Sequence, residues 1–360
     1  MRPGPLDALR RARAAAQLLH RPPAAGVADV VERLPAVQAQ DLRAARLALR
    51  ARTVALTAAD VDAALTDERS VVVTWLMRGT LHLVVRDDYP WMLGLTAPTR
   101  LATSHRRLAQ EGVAPDDAER AVKIVERALA DAGPLTRPQL AERIAAEGIR
   151  TAGQAAPHLL MLAALRGIVV LGPLGEDGAH AFALARDWLG AAPASELAGA
   201  ERDGALAELA RRYLAGHGPA APADLAAWSG LPLRDARAGL EAIASELAER
   251  DDDLVELAAR EPPAETIPAR LLGAFDPYLL GWKDRAFAVP ARHAKRVHPG
   301  GGMLRATATA DGLAVGTWSA PRGVVELEPF GRLPAGAKAE LEADGQDVGR
   351  FLQGAQRAGR

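Results

Sequence analysis

Leu135-Thr136-Arg137-Pro138-Gln139-Leu140 has the form of a helix start. Thr136 is a natural N-cap, and the polar residue three positions on, Gln139, can close a capping box. The same start recurs on either side, at a spacing of roughly eighty residues: Leu56-Thr57-Ala58-Ala59-Asp60-Val61 before it and Ala220-Ala221-Pro222-Ala223-Asp224-Leu225 after it. The second and third copies also share a preceding Gly-Pro, Gly133-Pro134 and Gly218-Pro219. A supersecondary unit that returns at this period marks tandem modules.

Each start is followed by a short helix, and in the second and third copies by a glycine-containing turn and another helix, over 154–166 and 233–249. An apolar, β-rich run comes next in every copy: 71–77 with 81–85, 168–171 with 181–184, and 254–257. Helix, turn, helix, hairpin is the winged-helix order, so residues 40–260 are read as three tandem winged-helix units. Upstream, Leu6, Leu9, Leu18 and Leu19 mark a helix over 6–19 that Pro22-Pro23 stops, and 27–34 forms a second short helix. Downstream the pattern changes to strands at 271–280, 303–309, 313–318 and 324–327, with Asp311-Gly312 turning between the middle two. A closing helix over 338–352 and a frayed tail over 354–360 complete the chain.

The expected fold class is therefore mainly α with β wings (α+β). The expected parts are 1–110, holding the N-terminal helices and the first winged helix, 111–190 with the second, and 200–260 with the third. Residues 265–360 form a β-rich C-terminal part.

At 360 residues the chain is long enough for two to four modules. Apolar residues make up 49%, and aromatics only 4%, which favours closely packed helices over a large β-sandwich. The absence of cysteine excludes disulfide scaffolds, thiolate zinc sites and cysteine nucleophiles. No run of 18 apolar residues and no signal-peptide pattern occurs, so a cytoplasmic protein without membrane contact is expected. The net charge of −1 conceals an uneven distribution. Over 283–305, Lys283, Arg285, Arg292, Lys295, Arg296 and Arg305 face only Asp284, with His293 and His298 interleaved, whereas carboxylates dominate 241–265, among them Asp251, Asp252, Asp253 and Glu261. A flexible basic segment flanked by Pro290 and Gly300, beside helix-turn-helix units, suits a DNA backbone.

No Walker motif, dinucleotide fingerprint, HExxH or GxSxG occurs, and Gly300-Gly301-Gly302 lacks the Lys-Ser/Thr of a phosphate loop. His293 and His298 lack the company of a metal site, and Asp251-Asp252-Asp253 reads as a solvated turn. By spacing alone, Gln38-Ala39-Gln40-Asp41 is a polar start to the amphipathic helix 42–52, whose basic edge carries Arg43, Arg46 and Arg50. By spacing Arg78-Gly79-Thr80-Leu81-His82 reads as an ordinary hairpin turn supplied by Gly79, and the aromatic run 275–282 is either core or a pocket wall.

Taken together, Gln38-Ala39-Gln40-Asp41, then 77–84, then Phe275-Asp276-Pro277-Tyr278-Leu279-Leu280-Gly281, then Gly316-Thr317-Trp318 resemble the AlkZ/YcaQ family of bacterial winged-helix DNA glycosylases, in order and over nearly the whole chain. The resemblance implies monofunctional hydrolysis of the N-glycosidic bond of N7-alkylguanine in double-stranded DNA, bulky adducts and interstrand cross-links included. It implies no cofactor and no metal. The implied role is base excision repair or self-resistance to an alkylating natural product, by a monomer. Gln38 and Gln40 match the Gln-x-Gln form of the family's catalytic motif, and Asp41 falls one residue too late for the acidic form. Arg43, Arg46, Arg50, Lys283, Arg285, Arg292, His293, Lys295, Arg296 and His298 are the expected DNA contacts. Thr80, His82, Asp276, Trp282 and Trp318 are the candidate pocket residues. The reading from another class is a tandem winged-helix transcription regulator without enzymatic activity.

Overall fold

Gln139 Oε1 accepts both the backbone N–H (2.8 Å) and the hydroxyl (2.9 Å) of Thr136, so the helix Arg137–Ala146 starts as its sequence predicts. Asp60 serves Thr57 in the same way ahead of Ala58–Thr66, and Asp224 Oδ2 accepts Ala221 N–H at 3.0 Å ahead of Pro222–Ser229. All three repeated starts therefore reach a polar side chain back to the residue before the helix.

The computed structural model describes residues 4–21, 26–175, 178–190, 196–250, 252–259 and 265–358. Pro22-Pro23, Asp251, Glu261 and the last two residues of the expected tail lie outside them. Two units contain most of the internal contacts, one made of 62–205 and one of 1–61 with 206–358.

In the unit 62–205, the strands Val71–Trp75 and Leu81–Val85 form one antiparallel hairpin and Val169–Leu174 and His180–Leu184 another. Val73 pairs with Leu171, which joins the two hairpins side by side. Both expected hairpins therefore belong to one shared sheet, in which Val71, Val72, Val73, Val169 and Val170 are all fully buried. The helices Tyr89–Gln110, Pro115–Ala132 and Ala155–Leu165 pack together with the sheet, burying faces such as Ala121, Val125 and Ala128.

In the other unit, Pro222–Ser229 and Leu233–Ala242 are followed by a hairpin of Leu247–Glu249 with Val255–Leu257. The helix expected over 233–249 therefore stops at Ala242, because its last residues pair as a strand. A four-stranded antiparallel sheet runs in the order Glu326–Pro329, Leu313–Ser319, Thr307–Ala310, Arg270–Leu272. The strand expected over 271–280 ends at Leu272. Phe275 then takes φ +56°, and Asp276 accepts Tyr278 N–H at 2.9 Å to open the short helix Pro277–Leu280. Period alone does not separate a buried strand from a buried helical turn. The closing helix spans Ala337–Ala358, so the tail remains helical through Ala358 where fraying was expected.

Candidate active site and nucleic-acid surface

The Gln-x-Gln motif lies on a short extended segment entered through Ala36, whose φ is +60°. Val37 and Ala39 are buried, Gln38 is half-buried and Gln40 is exposed. This alternation seats the two apolar side chains in the core and leaves the two amides more accessible than either, the pattern that an extended segment produces. Asp41 then caps Leu42–Arg50, its Oδ1 accepting Ala44 N–H at 3.2 Å. Its carboxylate is occupied at the positive end of a helix, where it stabilises the helix start.

The motif helix is held closely at its middle and at its far end. A Cβ on Gly273 would come within 3.1 Å of both Ala44 O and Leu47 Cβ, so the absence of a side chain there lets the two backbones approach. Beyond the middle, Arg50 is buried and meets Asp344, Asp347 and the Leu271 carbonyl (2.7 Å). Burial pushes the Asp344 carboxyl up, but the charges of Arg50 and Arg21 more than reverse this and hold it below the ordinary carboxylate value. Arg52 forms a two-pronged pair with Asp276 (2.7 and 3.0 Å), both side chains wholly inaccessible, and also donates to Gln17 Oε1 at 2.9 Å. These buried guanidiniums fix the register of the helix that carries the motif.

Several expected site residues are corrected by this packing. Arg50 cannot reach a phosphate, because its guanidinium is enclosed by carboxylates and a carbonyl. Asp276 is no pocket wall, because Arg52 takes both its oxygens. Trp282 and Trp318 are core residues, their indole N–H groups donating to His217 O (3.0 Å) and Leu272 O (2.8 Å).

Arg43 is exposed and Arg46 half-buried, and they line a cavity of about 280 Å³ together with Arg322, Ala320, Phe351 and Gln353. Arg43 Nη2 also donates to the Ala320 carbonyl at 3.4 Å. No carboxylate lines this cavity among the described residues, so it has the charge an anion requires. The sequence reading missed Arg322. Its exposure follows from the turn Pro321–Gly323, in which it takes φ +53°; Pro321 and Gly323 mark the turn in the sequence, but not that Arg322 shares a cavity with Arg43 and Arg46.

The basic segment 283–305 is anchored in the core at two points. Val297 and Leu304 are buried, and the segment contains two short helical turns, Ala291–His293 and Ala294–Val297. Lys283, Arg292, Lys295, Arg296 and His298 are exposed. His293 stacks on Phe330 (ring centroids 4.5 Å apart), and the Arg296 guanidinium lies over the same ring at 4.4 Å. Desolvation and the charges of Arg292 and Arg296 lower the His293 pKa, in keeping with a neutral ring that accepts from Arg292 Nε at 3.1 Å. Arg285 is the exception: it is half-buried and donates to the Leu279 carbonyl, which removes it from the expected phosphate contacts.

In the unit 62–205, Arg78 and Gly79 both have positive φ, at +56° and +75°, in the turn between the first two strands. Thr80, half-buried, donates its hydroxyl to the Met77 carbonyl at 3.3 Å. His82 is 1% exposed, and its Nδ1–H donates to the Thr80 carbonyl oxygen at 2.9 Å. A carbonyl can only accept, so Nε2 carries the lone pair, and it has no hydrogen-bond partner among the described residues. Burial, reinforced by the charge of Arg78, pushes the His82 pKa down to about 3. Burial likewise lowers Arg78 to about 10, with a smaller contribution from Arg100. The described residues contain no group of three or more His, Cys, Asp or Glu able to hold a metal, and no helix among them is long and apolar enough to cross a membrane.

Comparison with known proteins gives concordant results. Residues 31–351 match the family model described as DNA glycosylase AlkZ-like. An interstrand DNA cross-link repair glycosylase of Streptomyces sahachiroi is 31% identical over 343 residues, covering 88% of each chain. The solved structure of the Streptomyces sahachiroi DNA glycosylase AlkZ superposes with a TM-score of 0.78 at 26% identity, over 98% of each chain.

Proposed function

The chain belongs to the AlkZ-like DNA glycosylase family, and from that premise we propose that it excises N7-alkylguanine from duplex DNA, with Gln38 and Gln40 positioning the attacking water. Its being a DNA glycosylase sets aside the regulator without enzymatic activity. The observation that carries the finer reading is the division of labour at 38–41: the carboxylate of Asp41 is engaged as a helix cap, while Val37 and Ala39 are buried and Gln38 and Gln40 keep half-buried and exposed positions beside them.

The chemistry suits amides. Alkylation at N7 makes the guanine cationic, so the C1′–N9 bond breaks with its electron pair passing to N9 and the departing base becomes neutral. No strong general acid is required. Water adds to C1′ of the oxocarbenium-like sugar and releases a proton to solvent. A glutamine carbonyl accepts a hydrogen bond from that water while its NH₂ donates elsewhere, which fixes the oxygen without burying a charge. Positioning of this kind accounts for up to about 7–11 kcal/mol of a barrier in favourable cases. A site without a strong base also spares unmodified nucleotides, whose neutral bases leave poorly.

Arg43, Arg46 and Arg322, whose cavity lacks carboxylates, are proposed to seat a phosphate, with the exposed cations of 283–305 as a second backbone contact. The helix, turn, helix, hairpin order at 137–184 and at 222–257 supports reading the chain as tandem winged helices, the first copy having one helix before its hairpin. The relative's printed activity on interstrand cross-links extends the proposal to guanines joined through N7, as repair or as self-resistance, carried out by a single chain. Single-turnover excision of 7-methylguanine by Gln38→Ala and Gln40→Ala variants tests it; wild-type rates in the double variant would refute it.

A further inference from the structure

The basic segment carries a loop that its phosphate contacts do not explain. Arg305 N–H donates to the Val297 carbonyl at 3.0 Å, and Val297 and Leu304 are buried, so residues 298–303 leave the core and return to it within a short span. Gly300, Gly301 and Gly302 take φ of +111°, +61° and +76°, a succession that glycine adopts without strain. A Cβ at any of the three would meet nothing within 4 Å among the described residues, so these glycines serve the turn and not a close approach. Met303 N–H closes the turn on the Gly300 carbonyl at 3.1 Å. The loop thus ends in a narrow tip with one long side chain, that of Met303, which is 48% exposed.

A single exposed apolar residue is ordinary on a protein surface. Met303 differs in its company. Between 285 and 310 the chain holds no Asp or Glu, and the exposed cations Lys295, Arg296 and Arg305 flank the loop. Arg305 Nη1 donates to the Arg296 carbonyl at 3.4 Å, and the Arg296 guanidinium lies over the Phe330 ring, so two of these cations are held beside the base of the loop. An apolar protein groove has no use for that charge. Duplex DNA uses both features: its phosphates take the cations, and its base stack takes an apolar side chain. Three successive residues without side chains also make the tip slim enough for a minor groove, which is about 6 Å wide in B-form DNA. Methionine is unbranched, and its polarisable sulfur makes favourable contacts with aromatic rings.

We propose that Met303 is a wedge: on duplex DNA the loop enters the minor groove and Met303 inserts between two stacked base pairs, while Lys295, Arg296 and Arg305 hold the phosphates on either side. The proposal rests on the reading of 283–305 as a backbone contact and is independent of which base is excised. Insertion unwinds the step it enters and kinks the duplex by roughly 20–90°. The glycines set how far the side chain reaches, because the turn they form has no side chain of its own to meet the groove walls.

The test uses the full chain on a closed circular plasmid without lesions, relaxed by a topoisomerase while the protein is bound, so that unwinding is locked in as a change of linking number. The wild type is expected to change the linking number in proportion to the protein bound. Met303→Ala is expected to bind with the wild-type salt slope, because no phosphate contact is lost, and to lose most of the linking-number change. Met303→Leu, apolar and of similar volume, is expected to keep it. Met303 is exposed, so neither replacement opens a cavity in the core. An unchanged linking number with the wild type bound, an equal change with Met303→Ala, or an equal loss in Met303→Leu and Met303→Ala would overturn the wedge; the first is also the outcome for a loop that serves a protein partner. Lys295→Glu with Arg296→Glu tests the backbone contact separately. A salt slope unmoved by that reversal removes the contact, whereas the linking number decides the wedge.

Discussion

Asp41 Oδ1 accepts the backbone N–H of Ala44 at 3.2 Å, which commits the carboxylate next to Gln40 to the start of the motif helix. Asparagine caps a helix about as well as aspartate, so Asp41→Asn is expected to keep excision within about threefold of wild type, whereas Asp41→Ala costs roughly 1 kcal/mol of stability. A general base at this position would instead cost Asp41→Asn about 10²-fold or more. Single-turnover rates and denaturant unfolding of the two variants separate these cases.

The Arg52–Asp276 pair is a structural device and not a pocket. Removing one member of a wholly buried ion pair leaves the other uncompensated, so Asp276→Ala is expected to lose about 3–5 kcal/mol in urea unfolding. A wild-type stability accompanied by lost excision would return Asp276 to the site.

His82 titrates near the ordinary value of 6.5 in the unfolded chain and at about 3 in the folded one. Between these limits the unfolded state binds more protons, so stability falls as the pH drops from about 6.5 toward 3, and no penalty from this group exists above that range. The full effect is on the order of 3–5 kcal/mol. His82→Asn is expected to show a smaller loss of stability between pH 7.5 and 5 than the wild type, as read by the urea midpoint. An equal or larger loss would contradict a neutral, buried imidazole.

Much of this architecture was legible in the sequence because its signals are local. Two capping boxes follow from Thr57 and Thr136 with the carboxylate or amide three residues on, the third start keeps only the Asp224 half beside Ala221, and the amide alternation follows from the period of an extended segment. Burial was harder to read. Arg43, Arg46 and Arg50 look alike on a helical wheel, but Asp344 and Asp347, almost three hundred residues away, draw Arg50 into the core. Arg322 was invisible for the converse reason: its place in the cationic cavity depends on a left-handed turn between two strands. Within 271–280 the pair Asp276-Pro277, an N-cap residue followed by proline at the first helical position, does signal a helical turn, but the apolar run around it reads as a strand by period.

Phosphate contact by the exposed cations has a signature in salt dependence. Each lost contact lowers the slope of log K against log salt by about 0.9. Arg43→Ala, Arg322→Ala and the reversal Lys295→Glu with Arg296→Glu are expected to lower it, and Arg285→Ala, whose guanidinium faces a protein carbonyl, is expected to leave it unchanged. A slope altered by Arg285→Ala and indifferent to the others would move the DNA surface elsewhere.

The most direct measurement is single-turnover release of 7-methylguanine from duplex DNA by the Gln38→Ala, Gln40→Ala and double variants, with DNA affinity measured alongside. Each single variant is expected to lose on the order of 10²-fold in rate, as misplacement of the attacking water predicts, while affinity for the lesion duplex stays within a factor of about three. A double variant that releases the base at the wild-type rate would contradict the account.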